Sequence, residues 1–441
     1  MRWPIKAIVL STTALLTIAG GSGLLASRAL APNIDLSAQA DDVALSDWDS
    51  LDELRQIRDR LQTQDPESDI VSRDGPAQER PSPNERQKLL QAVDTRIHVE
   101  TLAQQTWDDA LDTAREAVRL GKKEGLETEE LGKIDSLWRD AIAQLQQIPQ
   151  DSLLGEAAQE KQEEYALNLA EIAYRYDTAR SDFLIPISET AGLGTGRVRI
   201  TLCHIETREC RRLNGKKPPE SPASLIKLPI GVAVMQKVVE EDVDLDQPML
   251  VERSNYTEDA SDIRVGVEYP MRRVLRRMIN DSSNIATNQM IDFVGLDYIN
   301  DVLTDRGYEA THVGHKLVGK RTFPKNFGTR GTNRTTTDEI TEMMVQIYNF
   351  ENDGDDVLLD SLVEQWDWKL GYAGLKAAEG DIFWIGEKTG QNSKVLGTTV
   401  AARIEDQRYV ITVTLDRSAH EAAVRRIVKD IAEHIAEHDG F

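Results

Sequence analysis

The sequence predicts an α/β protein whose mixed C-terminal domain follows an acidic helical region and an apolar N-terminal segment. Three observations carry this. Arg2 and Lys6 precede Ala7–Ala26, a run of 20 residues without a charge. Residues 83–184 then place apolar side chains at helical spacing. From about Ile185, short β-rich runs alternate with apolar helical runs. The expected division is 1–31 as a signal-anchor or signal peptide, 32–82 as an acidic linker with a short helix, 83–184 as a helical spacer or interaction region, and 185–441 as the domain with chemistry.

At 1.5 Å per residue, Ala7–Ala26 is long enough to cross a bilayer. The small residues Ala29 and Ala31 resemble a processing site, but Pro32 would follow the cut and disfavours it. The expectation is therefore a membrane anchor through this N-terminal helix, with a secreted product if the segment is cleaved. Basic residues before the span direct the bulk of the chain out of the cytoplasm.

The helical region begins with two capping signals. Ser50 with Glu53 opens a short helix. Ser82, Pro83 and Glu85 supply an N-cap, a first-turn proline and a capping-box glutamate. Trp107, Leu111, Ala114 and Val118 then form one stripe, Leu137, Ala141 and Leu145 a second, and Tyr165, Leu169, Ile172 and Tyr176 a third. Gly121, Gly125 and Pro149 punctuate them. Three such helices can pack on one another or present a stripe to a protein partner.

Composition excludes several functions. Of 441 residues, 52 are Lys or Arg and 75 are Asp or Glu, a formal charge of -23 that opposes a phosphate-binding surface, so nucleic acid is not an expected partner. Two cysteines cannot build a disulfide-rich scaffold or a four-cysteine zinc site. His434-Ile435-Ala436-Glu437-His438 imitates a zinc motif, but no third ligand follows. Gly314–Lys320 imitates a phosphate loop, but Arg321 stands where a hydroxyl must hold magnesium. No metal and no cofactor are expected.

The chemistry lies further on. Arg197–Leu202 and Glu209–Leu213 read as a hairpin with Glu206-Thr207 at its tip, which sets Cys203 opposite Cys210 as a disulfide candidate. Ser224 precedes the apolar run Leu228–Val239, hence the amino end of a buried helix, where a backbone N–H and the helix dipole favour a developing oxyanion. Lys227 lies one turn on, within reach of the Ser224 hydroxyl, and burial lowers a lysine's proton affinity until its amine can act as a base. Ser282-Ser283-Asn284 interrupts a helical run, and Lys388-Thr389-Gly390 ends the strand-like run Ile382–Glu387.

This order, Ser-x-x-Lys, Ser-x-Asn and Lys-Thr-Gly at separations of 58 and 106 residues, resembles the signature of class A β-lactamases and low-molecular-weight penicillin-binding proteins. The resemblance covers roughly residues 190–441. It implies an antiparallel sheet flanked by helices plus an all-helical lobe, with the site between them. It further implies a Ser224 nucleophile, Lys227 as its proton partner, and Ser282 passing a proton to the departing nitrogen. Lys388 would support that transfer and attract a carboxylate. Asn284 would bind the substrate's acyl amide, and Thr389 its carboxylate. The oxyanion hole would be the N–H groups of Ser224 and Gln391, with Gly390 keeping a side chain clear of the substrate.

Two departures stand out. Ser283 occupies the position where the family carries Asp as a loop support. More important, hydrolytic members carry a Glu-x-x-Leu-Asn pattern whose glutamate activates the deacylating water, and no such pattern exists here. Ala310–Arg334 contains no Asp or Glu and is basic, with Glu309 and Glu339 at its flanks. The expected activity is acyl-serine chemistry on β-lactams or D-Ala-D-Ala stem peptides, closer to a penicillin-binding DD-peptidase. The alternatives are a true β-lactamase with an atypical base, and a cell-envelope scaffold whose site is retired.

Overall fold

The computed structural model describes residues 50–63, 82–190, 192–259, 261–319, 322–417, 420–438 and 440–441. The expected anchor lies outside these residues. None of the helices described is long and apolar enough to cross a membrane.

Two compact units are present. The described part of the first comprises residues 50–63, 82–108 and 147–158. Helix α1 (Leu51–Thr63) sets Ile57 and Leu61 in one apolar cluster with Leu89 and Val93 of α2 (Pro83–Gly121). The Ser82–Glu85 capping box forms: the Ser82 N–H donates to Glu85 Oε2 at 2.6 Å and the Glu85 N–H to Ser82 Oγ at 3.3 Å.

The second unit holds residues 109–146 and those from 159 onward. Ala110, Ala114 and Ala117 of α2 are buried, whereas Trp107, Leu111 and Val118 of the expected stripe are only half-buried. Along α3 (Thr128–Leu145), Ile134, Trp138, Ala141 and Leu145 turn inward, and Trp138 meets Tyr165 of α4 (Gly155–Ala179) with ring centres 5.0 Å apart. The end of α4 is tied to the hairpin that follows. Asp177 pairs with Arg212 at 2.6 Å, and Arg180 with Glu209 at 2.5 Å. Residues 109–146 and 159–184 thus lie in the second unit.

After α5 (Leu184–Glu189), β1 (Val198–His204) and β2 (Cys210–Leu213) form the hairpin, with Cys203 disulfide-bonded to Cys210 in register. Helix α6 (Lys227–Glu240) leads to a small sheet of β3 (Pro248–Leu250) and β4 (Glu268–Pro270). Helices α7 (Met271–Ile279), α8 (Asn284–Val294), α9 (Leu296–Asp305), α10 (Thr337–Asn349), α11 (Asp355–Val363) and α12 (Gly371–Ala377) follow. Strands β5 (Ile382–Gln391), β6 (Val395–Ile404) and β7 (Gln407–Asp416), then α13 (Glu421–His438), close the chain. The main sheet runs β2-β1-β7-β6-β5, antiparallel throughout.

Period-two alternation sends side chains to both faces of this sheet. Ile200, Leu202, Ile411 and Val413 face Val424, Ile427, Val428 and Ile431 of α13. Cys203, Ala401 and Val410 join the opposite cluster, built on α6 to α11. Thr341 of α10 donates to Thr412 Oγ1 at 2.7 Å, and Thr399 and Thr412 share a hydroxyl contact at 2.8 Å, so the buried polar atoms there are paired. Ile427 is fully buried beneath the sheet. Ile427→Ala is expected to destabilise the folded unit by about 2–5 kcal/mol, read as a lower urea midpoint at unchanged slope.

Candidate active site

Ser224 sits in a 3-10 turn, Ala223–Ile226, which runs directly into α6. The α-helix proper therefore begins at Lys227, three residues after Ser224. Ala223 adopts φ 46° and Ser282 φ 57°, left-handed values that non-glycine residues seldom take. Both turns are held by their surroundings.

Lys227 is fully buried. Its amine donates to Ser282 Oγ at 3.0 Å, to Asn284 Oδ1 at 2.9 Å, and to the Ser282 carbonyl. The expected Lys227–Ser224 hydrogen bond is not formed; the amine is directed to the second motif. Burial and then the like charge of Lys388 hold its proton affinity well below the ordinary lysine value, with Asp259 acting against them. Lys388 on β5 is also fully buried and donates to the Thr389 carbonyl at 2.9 Å. Burial brings its pKa down to about 7, with Asp367 and Glu387 acting against that fall.

Glycine at position 390 also meets a constraint within the protein itself. A Cβ there would lie 3.0 Å from the Leu225 nitrogen and 3.2 Å from the Ser224 nitrogen. It would push the strand off the serine turn itself. Successive N–H groups of a strand point to opposite sides. Asn392 donates toward β6, to the Val395 carbonyl at 3.0 Å, so the Gln391 N–H faces the free edge, where Gly390 approaches Ser224. Ser224, Asn284 and Gln391 line one cleft of about 1180 Å³. The geometry thus joins Lys227, Ser282 and Asn284 directly, and sets the Lys388–Gln391 strand against Ser224.

Three features of the site have no motif in the sequence. The first is Asp259. Its carboxylate accepts from Ser283 Oγ, from the Ile285 N–H at 3.3 Å and from Ser261 Oγ at 3.1 Å. Ser283 in turn caps α8, accepting from the Ala286 N–H at 3.0 Å. The carboxylate missing from the motif is supplied from another loop.

The second is Asn288, whose side chain clamps both backbone groups of Leu317, accepting from its N–H at 2.7 Å and donating to its carbonyl at 2.9 Å. Leu317 consequently lines the cleft. The third is Lys316, whose buried amine meets Asp292 at 2.6 Å and Asn255 Oδ1 at 2.7 Å. Arg330 pairs with Asp297 at 2.7 Å. These two cations of the basic loop therefore anchor it to the protein, whereas Arg334 lines the cleft.

Glu339 accepts from the Ala310 N–H at 2.8 Å and Thr311 Oγ1 at 2.5 Å, and neither it nor Glu309 lines the cleft. The carboxylates that do are Glu220, Glu258 and Asp259. Glu220 is paired with Arg417 at 2.7 Å, and Glu258 accepts from the Thr322 N–H at 3.1 Å. Among the described residues, no cluster of three or more His, Cys, Asp or Glu could hold a metal ion.

Asp259→Asn leaves a weaker acceptor at the start of α8. A loss of about 1–3 kcal/mol in unfolding free energy is expected, with faster hydrogen exchange at the Ala286 amide; unchanged exchange there would remove Asp259 from its supporting role.

Comparison with known proteins places this arrangement. Among solved structures, PBP-A is 21% identical, over 59% of this chain and 96% of that one, with a TM-score of 0.50. A PBP-A variant in acyl-enzyme complex with penicillin G is 20% identical, over 59% and 97%, at 0.50. TLA-1 extended-spectrum β-lactamase is 18% identical, over 58% and 99%, also at 0.50. These likenesses show the fold. No curated protein sequence matches the chain. The sequence model described as the β-lactamase enzyme family matches residues 187–438, more than half of the chain, which therefore belongs to that family and is a serine hydrolase of the β-lactamase type.

Proposed function

We propose that the chain is a penicillin-binding acyl-serine peptidase acting on D-Ala-D-Ala stem peptides of peptidoglycan. One observation carries this reading: the loop position clamped into the cleft is Leu317, an apolar side chain with no proton to exchange. In the proposed reaction, Ser224 Oγ attacks the amide carbonyl and its proton passes to the Lys227 amine. The N–H groups of Ser224 and Gln391 stabilise the oxyanion. Ser282, bonded to Lys227 at 3.0 Å, relays a proton to the departing nitrogen as the C–N bond breaks. Lys388 and Thr389 attract the substrate carboxylate, and Asn284 orients the acyl amide.

Acylation is thus equipped, whereas hydrolysis lacks a poised base, a difference of about 10²–10⁴ in rate. Water or an acceptor amine finishes the cycle slowly. Action outside the cytoplasm, tethered or secreted, belongs to the same proposal. It is supported by the uncharged Ala7–Ala26 run and by the Cys203–Cys210 disulfide.

Intact mass measured over time after benzylpenicillin treatment tests the proposal. The expected result is a long-lived adduct on the wild type and none on Ser224→Ala. Leu317→Glu should shorten the adduct lifetime by about 10²-fold or more. Rapid wild-type turnover of a chromogenic cephalosporin would instead identify a β-lactamase, with Glu258 as the carboxylate to examine.

The acylation efficiency also has an expected pH dependence. Lys388 is charged below about 7 and neutral above it, so efficiency toward carboxylate-bearing β-lactams should fall as pH rises through that value. Lys388→Arg keeps the charge and should abolish the alkaline fall. A limb unmoved by this change would assign the titration elsewhere.

A further inference from the structure

We propose that Trp366 and Trp368 form a stacking platform for a pyranose ring of the peptidoglycan glycan, so that the stem peptide is read together with the amino sugar that carries it. The inference rests on the peptidase reading and names a part of its substrate beyond the peptide.

The connection between α11 and α12 is seated between two parts of the site. The Trp366 N–H donates to the Asn280 carbonyl at 3.2 Å, two residues before Ser282. Asp367 Oδ2 accepts from Thr389 Oγ1 at 3.4 Å, and Gln365 Nε2 reaches the same hydroxyl at 3.5 Å. The backbone here is therefore fixed to the second and third motifs, yet its indoles are left in water, Trp366 81% and Trp368 58% exposed.

The Trp368 ring is held in place. Its indole N–H donates to the Gln365 carbonyl at 2.5 Å, and its ring centre lies 5.7 Å from that of Tyr372, which meets Trp384 edge-on at 5.9 Å. A fixed ring binds a ligand face without losing side-chain freedom.

The surroundings select the occupant. Glu364, Asp367 and Lys369 alternate with the two indoles, Glu364 is ion-paired with Arg276, and Lys376 lies over the Tyr372 ring. Charged side chains thus border the indoles along the chain, whereas a protein interface calls for a continuous apolar area. Flat rings bordered by charged groups match a ligand with C–H faces and hydroxyl edges, which describes a pyranose. Energy from such a remote contact can also be used at the reacting centre.

The test compares kcat/KM for a disaccharide-linked pentapeptide with that for the bare pentapeptide, as a ratio on each protein sample so that any unfolded fraction cancels. The wild type should favour the linked substrate by about tenfold. Trp366→Ala with Trp368→Ala should bring the ratio near unity, and Trp366→Tyr with Trp368→Tyr should retain part of it.

A second arm titrates the N-acetylated disaccharide alone and reads indole fluorescence as the difference between wild type and the double alanine variant. Equal rates on both peptides without a fluorescence change would overturn the platform and leave the peptidase reading intact. Saturable fluorescence without cleavage of either peptide would overturn the peptidase reading and keep the platform. A preference that survives in the double alanine variant would also overturn it.

Discussion

An amine removed from water must be satisfied by the protein or lose its proton, and the burial of Lys227 imposes that condition on the whole site. Its partners, Ser282 and Asn284, lie more than fifty residues away in sequence. The loop that carries them must therefore be held rigid. That explains the support around it: Ser283 caps α8, Asp259 braces Ser283, and Ser282 accepts a left-handed backbone that an isolated peptide would avoid. A second buried amine, Lys388, lies close enough to depress the proton affinity of Lys227 further. Two cations cannot both persist cheaply in such a space. Burial therefore lowers the proton affinity of both amines, and the charge of Lys388 lowers that of Lys227 further.

The sheet turns this local chemistry into a fixed geometry. Strand β5 is an edge strand, and it approaches the serine turn only because Gly390 carries no side chain. Its other edge is locked to β6 through register pairs from Ile382↔Ile404 to Gln391↔Leu396. Burying the sheet on both faces fixes β5 relative to α6, so Lys388 and Ser224 hold their places without a direct bond between them. Glu387, next to Lys388, accepts from the N–H groups of Gly371 and Tyr372 at 2.7 and 2.9 Å and from Thr398 Oγ1 at 2.5 Å. The segment bearing Trp366 and Trp368 thus enters α12 on a backbone pinned to the same strand.

Local and short-range features were legible in the sequence. The capping box at Ser82–Glu85, the Cys203–Cys210 register and the inward stripe of Val424, Ile427, Val428, Ile431 and Ile435 each depend on residues a few positions apart. The three motifs were legible for another reason, since their residue types and spacing already specify the chemistry. Contacts formed across long separations were not. Nothing in the order of residues joins Asp259 to Ser283 or Asn288 to Leu317, because those bonds exist only after the loops fold onto α8. The basic composition of the loop likewise gives no sign that Lys316 and Arg330 pair with Asp292 and Asp297. Of the buried alanines of α2 only Ala114 stands in the expected stripe, because large apolar residues mark a stripe while small ones permit close approach.

The two departures from the family pattern have unlike physical consequences. Replacing an aspartate by Ser283 removes a support, and a support can be supplied from elsewhere, since any well-placed carboxylate holds two hydroxyls and an N–H group equally well. Asp259 does so. The absence of the Glu-x-x-Leu-Asn pattern removes a proton acceptor, and that loss can be repaired only by another base within reach of the acyl carbon. The clamp from Asn288 bears on this directly. It fixes the backbone of residue 317 and so fixes which side chain lines the cleft at that point.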